Sequence, residues 1–185
     1  MSTARYSYLG PEGTFSEEAL RTLPEAADAA LLPARTVPEA LDAVRAGDAD
    51  AALVPLENSV GGSVPVTVDD LVAGGPLQIR REVVLPIRFV FATRDGRGTD
   101  AVRTVAAHPQ ASAQCRHWLR DTVPAATVTD VLSNATAAIR CAEGEYDGAL
   151  STPLAARRHG LTVLAEGVAD HADAMTRFVL LSRPA

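Results

Sequence analysis

The 185-residue sequence contains no lysine: all 17 of its basic residues are arginine. The absence removes a phosphate-loop lysine, a pyridoxal-phosphate Schiff base and any lysine–carbonyl intermediate, leaving arginine and backbone N–H groups to hold carboxylate or phosphate. A genomic bias toward arginine and alanine explains it equally well, but the chemical exclusion holds either way. Cysteine is scarce: Cys115 and Cys141 stand alone, outside any C-x-x-C spacing and away from histidine clusters, so neither a disulfide framework nor a local metal motif is visible. Basic charge is also short. A net charge of -6 and a pI near 5.2 exclude a nucleic-acid backbone partner, and any anion must be bound locally. The longest apolar runs are far too short to span a bilayer, and the N-terminus has no basic region followed by an apolar stretch. The expectation is a cytoplasmic protein with no membrane partner.

What is present suffices for a core, since 47% of the residues are hydrophobic, enough for one domain or two small lobes. Short β-like runs alternate with helical patterns, which predicts an α/β architecture with a largely parallel sheet. Residues 6–9, 51–54, 104–106 and 147–150 read as buried strands; 14–23, 38–46, 66–73, 109–120, 135–142 and 153–159 read as helices with one apolar face. Gly74-Gly75-Pro76 ends the first half, and residues 77–92 look like two long strands broken near Pro86 that cross into a second lobe. The expected layout is lobe 1 over 1–76 plus 173–185 and lobe 2 over 77–172, with a cleft between them. No convincing short-period repeat is present.

Near the C-terminus, Thr176-Arg177-Phe178 precedes the apolar run Val179-Leu180-Leu181. That run needs burial, so a last strand is expected to hold Thr176 and Arg177 at a core edge where one small anion meets both. Five strand-to-helix junctions carry polar, cap-forming residues. The first is Gly10-Pro11-Glu12-Gly13-Thr14-Phe15-Ser16-Glu17, with Thr14 and Glu17 at capping-box spacing; the others are Glu57-Asn58-Ser59, His108-Pro109-Gln110, Ser133-Asn134 and Ser151-Thr152-Pro153. Ligands of open α/β sheets collect at the carboxyl ends of strands, where helix N-termini supply positive dipole ends. Helix capping explains any one junction. Taken together with Arg177, they favour a neutral, hydroxyl-rich cleft for a small carboxylate.

Four of these segments, Gly10 to Ser16, Val54-Pro55-Leu56-Glu57-Asn58-Ser59, His108-Pro109-Gln110-Ala111 with Gln114-Cys115-Arg116, and Thr176-Arg177-Phe178, resemble in order and spacing the signature segments of prephenate dehydratases. The resemblance covers essentially the whole chain. It implies two α/β lobes around a cleft, similar to type II periplasmic binding proteins, and a reaction without metal or organic cofactor. The implied reaction removes the ring carboxylate of prephenate as carbon dioxide together with the ring hydroxyl, giving phenylpyruvate on the route to phenylalanine. The resemblance puts Thr176 in the catalytic role of assisting departure of the hydroxyl. Arg177 becomes a candidate carboxylate holder, with pairing to Glu57 or another acid as the alternative. Phe178, Thr14, Ser16, Glu57, Asn58, Ser59, Gln110, Ser133 and Ser151 are candidate substrate contacts, each with capping or packing as its plain structural role. His108 is read as a local backbone partner and Cys115 as a small buried residue. A homodimer or higher homo-oligomer is expected from the family.

Three positions depart from the family pattern: Gly61 replaces a common glutamate, Asn134 a threonine and Ala174 an asparagine. They admit a rival from the same family, a prephenate decarboxylase that does not aromatise the ring, although such enzymes tend to lack the threonine present here as Thr176. A second rival is a two-lobed module that binds a small carboxylate without turnover. Many relatives continue into a C-terminal regulatory domain of the ACT type. This sequence stops shortly after the last strand, so phenylalanine inhibition through that domain is not expected.

Overall fold

The computed structural model describes residues 3–184, which form two units: residues 3–87 with 174–184, and residues 88–173. The first unit contains β1 (Arg5–Leu9), α1 (Phe15–Leu20), β2 (Ala30–Ala34), α2 (Val37–Ala46), β3 (Ala51–Asn58), β4 (Gly62–Ser63), α3 (Pro65–Ala73) and β5 (Gln78–Pro86). The second contains β6 (Val90–Thr93), β7 (Thr104–Ala107), α4 (Pro109–Gln114), α5 (Arg116–Thr122), β8 (Thr127–Asp130), α6 (Asn134–Ala142), β9 (Gly148–Ser151), α7 (Pro153–Arg158) and β10 (Thr162–Glu166). The chain then returns to the first unit for β11 (Met175–Ser182).

Local signals account for most helix ends. In α2 the Thr36 hydroxyl accepts from Glu39 N–H at 3.2 Å, Pro38 sits in the first turn, and Gly47 closes the helix with φ 87°, a left-handed conformation that favours glycine. Its Val37, Ala40, Leu41 and Val44 are buried against Ala52 and Val54 of β3 and Val179 and Leu181 of β11. The run Val179-Leu180-Leu181, 1%, 4% and 0% exposed, is thus the centre of a strand lying between β3 and β5.

The sheet of the first unit runs β2-β1-β3-β11-β5, with β4 added to β3. β1 pairs parallel with β2 and β3, whereas β11 is antiparallel to both its neighbours. The second sheet runs β10-β6-β9-β7-β8, parallel at β7–β8 and β7–β9 and antiparallel at β6. The expectation of largely parallel sheets is therefore corrected to mixed sheets. Only the strands joined through packed crossover helices are obliged to run parallel; β11 arrives from the other unit and is free of that constraint.

The boundary expected near residue 76 lies instead between Ile87 and Arg88. β5 pairs with β11 along almost its whole length and buries Val83 and Leu85, so it belongs to the first unit. Gly74-Gly75-Pro76 ends α3, not a lobe. The helix expected over 14–23 covers only Phe15–Leu20 and passes into turns ahead of Pro24. The single helix expected over 109–120 is broken at Cys115 (φ -114°, ψ 19°). There the Asp170 carboxylate takes the His117 N–H at 3.2 Å, replacing the helical acceptor and starting a second helix. Edge strands β2 and β10 were not anticipated. Trp118 of α5 lies 5.0 Å from the Phe91 ring, and that ring fills the space a Cβ on Gly148 would need, 2.6 Å from such an atom.

Thr93, at the end of β6, is fully buried, and its hydroxyl has no hydrogen-bond partner among the described residues. An unpaired buried hydroxyl is destabilising relative to a methyl of the same shape. Thr93→Val is expected to raise stability by about 1 kcal/mol, seen as a Tm roughly 2–4 °C higher in thermal unfolding. A lower Tm would mean that the hydroxyl is satisfied.

Candidate functional site

In the first unit the register of β11 against β3 sets Thr176 opposite Asn58 and Arg177 opposite Glu57. Successive side chains of a strand point to opposite faces, so the pair Thr176/Asn58 and the pair Arg177/Glu57 are separated by the sheet itself. On the first face the Asn58 amide donates to Thr176 Oγ1 at 2.8 Å. Its orientation is fixed from the other end, because Asn58 Oδ1 accepts from the N–H groups of Val60 at 2.9 Å and Gly61 at 3.0 Å. The amide nitrogen must therefore face the threonine. Thr176 acts as acceptor in that bond and keeps its own hydrogen for another partner. Ser59 reinforces the pairing: its N–H donates to Met175 O and its hydroxyl accepts from Met175 N–H, both at 2.9 Å. Thr176 itself is only 7% exposed.

The opposite face corrects the expectation that Thr176 and Arg177 meet one anion. Arg177 Nη1 donates to Glu82 Oε2 at 2.9 Å, and Arg177 Nε lies 3.5 Å from Glu57 Oε2, in a half-exposed group of three charges. The guanidinium is already paired, as the alternative reading held, and Glu57 serves as its partner. Phe178 returns to the Thr176 side of the strand but is 2% exposed, so its ring is core and offers no surface to a substrate.

Thr14 is a helix cap in full. Its hydroxyl donates to Leu9 O at 2.9 Å and accepts from Glu17 N–H at 3.4 Å, spending its single hydrogen internally. The reciprocal half of the capping box is redirected: the buried Glu17 carboxylate accepts from Gly13 N–H and from Arg21, which pins the glycine loop rather than Thr14. Ser16, 5% exposed, has no side-chain hydrogen bond to any described residue.

In the second unit, Gln110 is exposed and its N–H donates to His108 Nδ1 at 3.2 Å. Burial pushes the His108 pKa below its ordinary value against the opposing charge of Asp130, which favours the neutral imidazole that this acceptor role requires. His108 is thus a helix cap. Ser133 Oγ accepts from Thr136 N–H at 2.9 Å and shares a second bond of 2.8 Å with Thr136 Oγ1; Ser151, fully buried, donates to Asn134 O at 2.9 Å. Both hydroxyls hold the start of α6. Burial raises the Cys115 thiol to about 12 and the Cys141 thiol to about 11, so neither presents a thiolate. Among the described residues no group of three or more His, Cys, Asp and Glu side chains is placed to hold a metal ion, and no helix is long and apolar enough to cross a membrane.

The specific task of Asn58 was missed in the sequence. The available signal was Asn58 followed closely by Gly61-Gly62, the composition of a turn in which an asparagine oxygen gathers backbone N–H groups.

A family model described as prephenate dehydratase matches residues 6–185. A prephenate dehydratase of Amycolatopsis methanolica is 51% identical over 98% of this chain and 59% of its own length. The solved prephenate dehydratase of Arthrobacter aurescens, in complex with L-Phe, is 44% identical with a TM-score of 0.92, covering 98% of this chain and 60% of that one. GqqA, described as a novel type of quorum quenching acylase, is 28% identical with a TM-score of 0.85, covering 98% of this chain and 64% of that one. The chain thus spans about three fifths of the length of the relatives it matches.

Proposed function

This chain belongs to the prephenate dehydratase family, and on that premise we propose that it converts prephenate to phenylpyruvate with Thr176 assisting departure of the ring hydroxyl. In this reaction the bond between the ring and its carboxylate breaks, its electron pair enters the ring, and the C–O bond to the hydroxyl breaks as the ring becomes aromatic. Carbon dioxide leaves, and the departing hydroxide takes one proton to become water. Aromatisation supplies the driving force; the barrier lies in expelling hydroxide, which is a poor leaving group without a hydrogen-bond or proton donor. The single observation that carries the proposal is the direction of the Asn58–Thr176 hydrogen bond, which leaves the threonine hydrogen aimed elsewhere. Thr176 is a weak acid, so its contribution is a strong, preorganised hydrogen bond at the developing charge, with the proton made good from water.

The same bond disfavours an acylase reading by way of GqqA. A threonine nucleophile needs a base to take its proton, and the partner of Thr176 is an amide nitrogen that has no basicity to offer. Carboxylate recognition, displaced from Arg177, falls within this proposal to groups of the first unit not already spent, Ser16 and the backbone N–H groups at its helix starts. A cytoplasmic homodimer or higher homo-oligomer completes the proposal on the strength of the family resemblance.

Incubation with prephenate tests the function directly: phenylpyruvate, read by its enolate absorbance in base, is the expected product. A non-aromatic dihydro acid would favour the decarboxylase reading, and tight binding without product would favour the binding module. Arg177→Met is expected to keep KM for prephenate within about threefold and to cost no more than about 1 kcal/mol of stability, as for a half-exposed ion pair. A KM raised by more than about tenfold would return the guanidinium to the substrate.

A further inference from the structure

We propose that Ser59 is a positioning residue for Thr176: its two hydrogen bonds to Met175 fix the register in which Asn58, and no neighbour of it, reaches the threonine hydroxyl. The assignment rests on the prephenate reading given above and on residues of the first unit alone. Register needs fixing at this point. From Ser182 to Phe178, β11 faces Ala51 to Pro55 residue for residue; Arg177 then faces Glu57, so Leu56 of β3 has no counterpart on β11. Beyond that bulge the buried pattern that specifies register is gone: Glu57, Ser59, Val60, Gly61 and Gly62 are exposed, and Asn58 is only partly buried. β11 itself is held on its other side, where Thr176 faces Leu85 and Met175 faces Pro86 of β5, and where Ile87 N–H donates to Ala174 O at 2.8 Å. The loose partner is the end of β3. β4 pairs with Glu57 and Asn58 but belongs to the same hairpin and would move with it. A slip of one residue would turn Asn58 to the Arg177 face and set Glu57 or Ser59 opposite Thr176.

Ser59 closes that freedom. Its N–H donates to Met175 O and its hydroxyl accepts the Met175 N–H, both at 2.9 Å. Two residues of an antiparallel ladder normally exchange such bonds through their main chains; here the serine hydroxyl stands in for the carbonyl. Met175 precedes Thr176 and Ser59 follows Asn58, so this closed pair is the rung next to the Asn58–Thr176 bond. Both bonds can form together only when Ser59 is opposite Met175, and that placement brings Asn58 opposite Thr176. The serine thus acts on the reaction through the strand end that carries the threonine, and its own contact with substrate is not required.

Ser59→Ala keeps the N–H bond and removes the acceptor. It is expected to lower kcat for phenylpyruvate formation about tenfold with KM within about twofold, because substrate binds as before and only the placement of Thr176 suffers. The Met175 N–H should exchange with solvent at least about tenfold faster, and Tm should fall by no more than about 4 °C, as for one exposed hydrogen bond. Ser59→Thr restores the acceptor and should return kcat to within about threefold of wild type. Since the loss runs through Thr176, adding Ser59→Ala to Thr176→Val should lower the residual kcat by less than about twofold. An unchanged kcat in Ser59→Ala, or a full tenfold loss in the Thr176→Val background, would overturn the assignment while leaving the function intact. A raised KM with kcat retained would overturn it in favour of direct contact between the Ser59 hydroxyl and substrate. If the wild-type protein neither turns over nor binds prephenate, the functional proposal fails and this assignment falls with it.

Discussion

Thr176→Val is expected to lower kcat for phenylpyruvate formation by ~10²–10⁴-fold while KM stays within about tenfold. Valine keeps the shape of threonine and suits a strand, so β11 and its pairing with β3 and β5 survive; the hydroxyl is the only group lost. A hydroxyl that stabilises the departing oxygen acts mainly in the transition state, and removing it lowers kcat and kcat/KM together. Steady-state kinetics, with Tm as the control for folding, reads both quantities. A KM increase with unchanged kcat would make Thr176 a ground-state contact.

The second large effect falls on Asn58, which in this account need not touch the substrate. Asn58→Asp is expected to lower kcat by about 10²-fold, comparable to loss of one preorganised donor. The N–H groups of Val60 and Gly61 still find an oxygen, so the turn is kept. The other oxygen of the new carboxylate replaces the amide donor by an acceptor, and the Thr176 hydroxyl turns its hydrogen toward it and away from the leaving group. Protonating the carboxyl group restores a donor. Activity of this variant relative to wild type is therefore expected to recover as the pH falls through the titration of that carboxyl group, a behaviour that a simple loss of packing does not show. A flat pH ratio would assign Asn58 a structural role only.

Much of the framework was legible in the sequence because it rests on short-range rules. The hydroxyls of Thr14, Thr36, Ser133 and Thr152 each accept from an N–H three residues on, a pattern visible in any sequence, and Val179 to Leu181 could not be anything but buried. The opposed faces of Thr176 and Arg177 were legible too, since strand periodicity alone separates adjacent side chains; the shared-anion expectation overlooked it. The edge strands were less so. β2 exposes most of its length and includes Pro33, tolerated because an edge strand has one unpaired side. The unit boundary was misplaced because Gly74-Gly75-Pro76 looks the same whether it ends a helix or a lobe. Least legible was the Asn58–Thr176 bond, which joins residues 118 apart and depends on the register of β11 against β3. Capping also absorbed Thr14 and Ser133, and a bond to the start of α6 absorbed Ser151, although these residue types suit ligand binding equally.

If Asn58 acts through the direction of the Thr176 hydroxyl, kcat of the double variant Asn58→Asp/Thr176→Val must reveal it. With no hydroxyl left to misdirect, the aspartate should do no further harm, and the double variant should match Thr176→Val within about threefold. A double variant slower than Thr176→Val by the full Asn58→Asp factor would show two independent contributions and contradict the account.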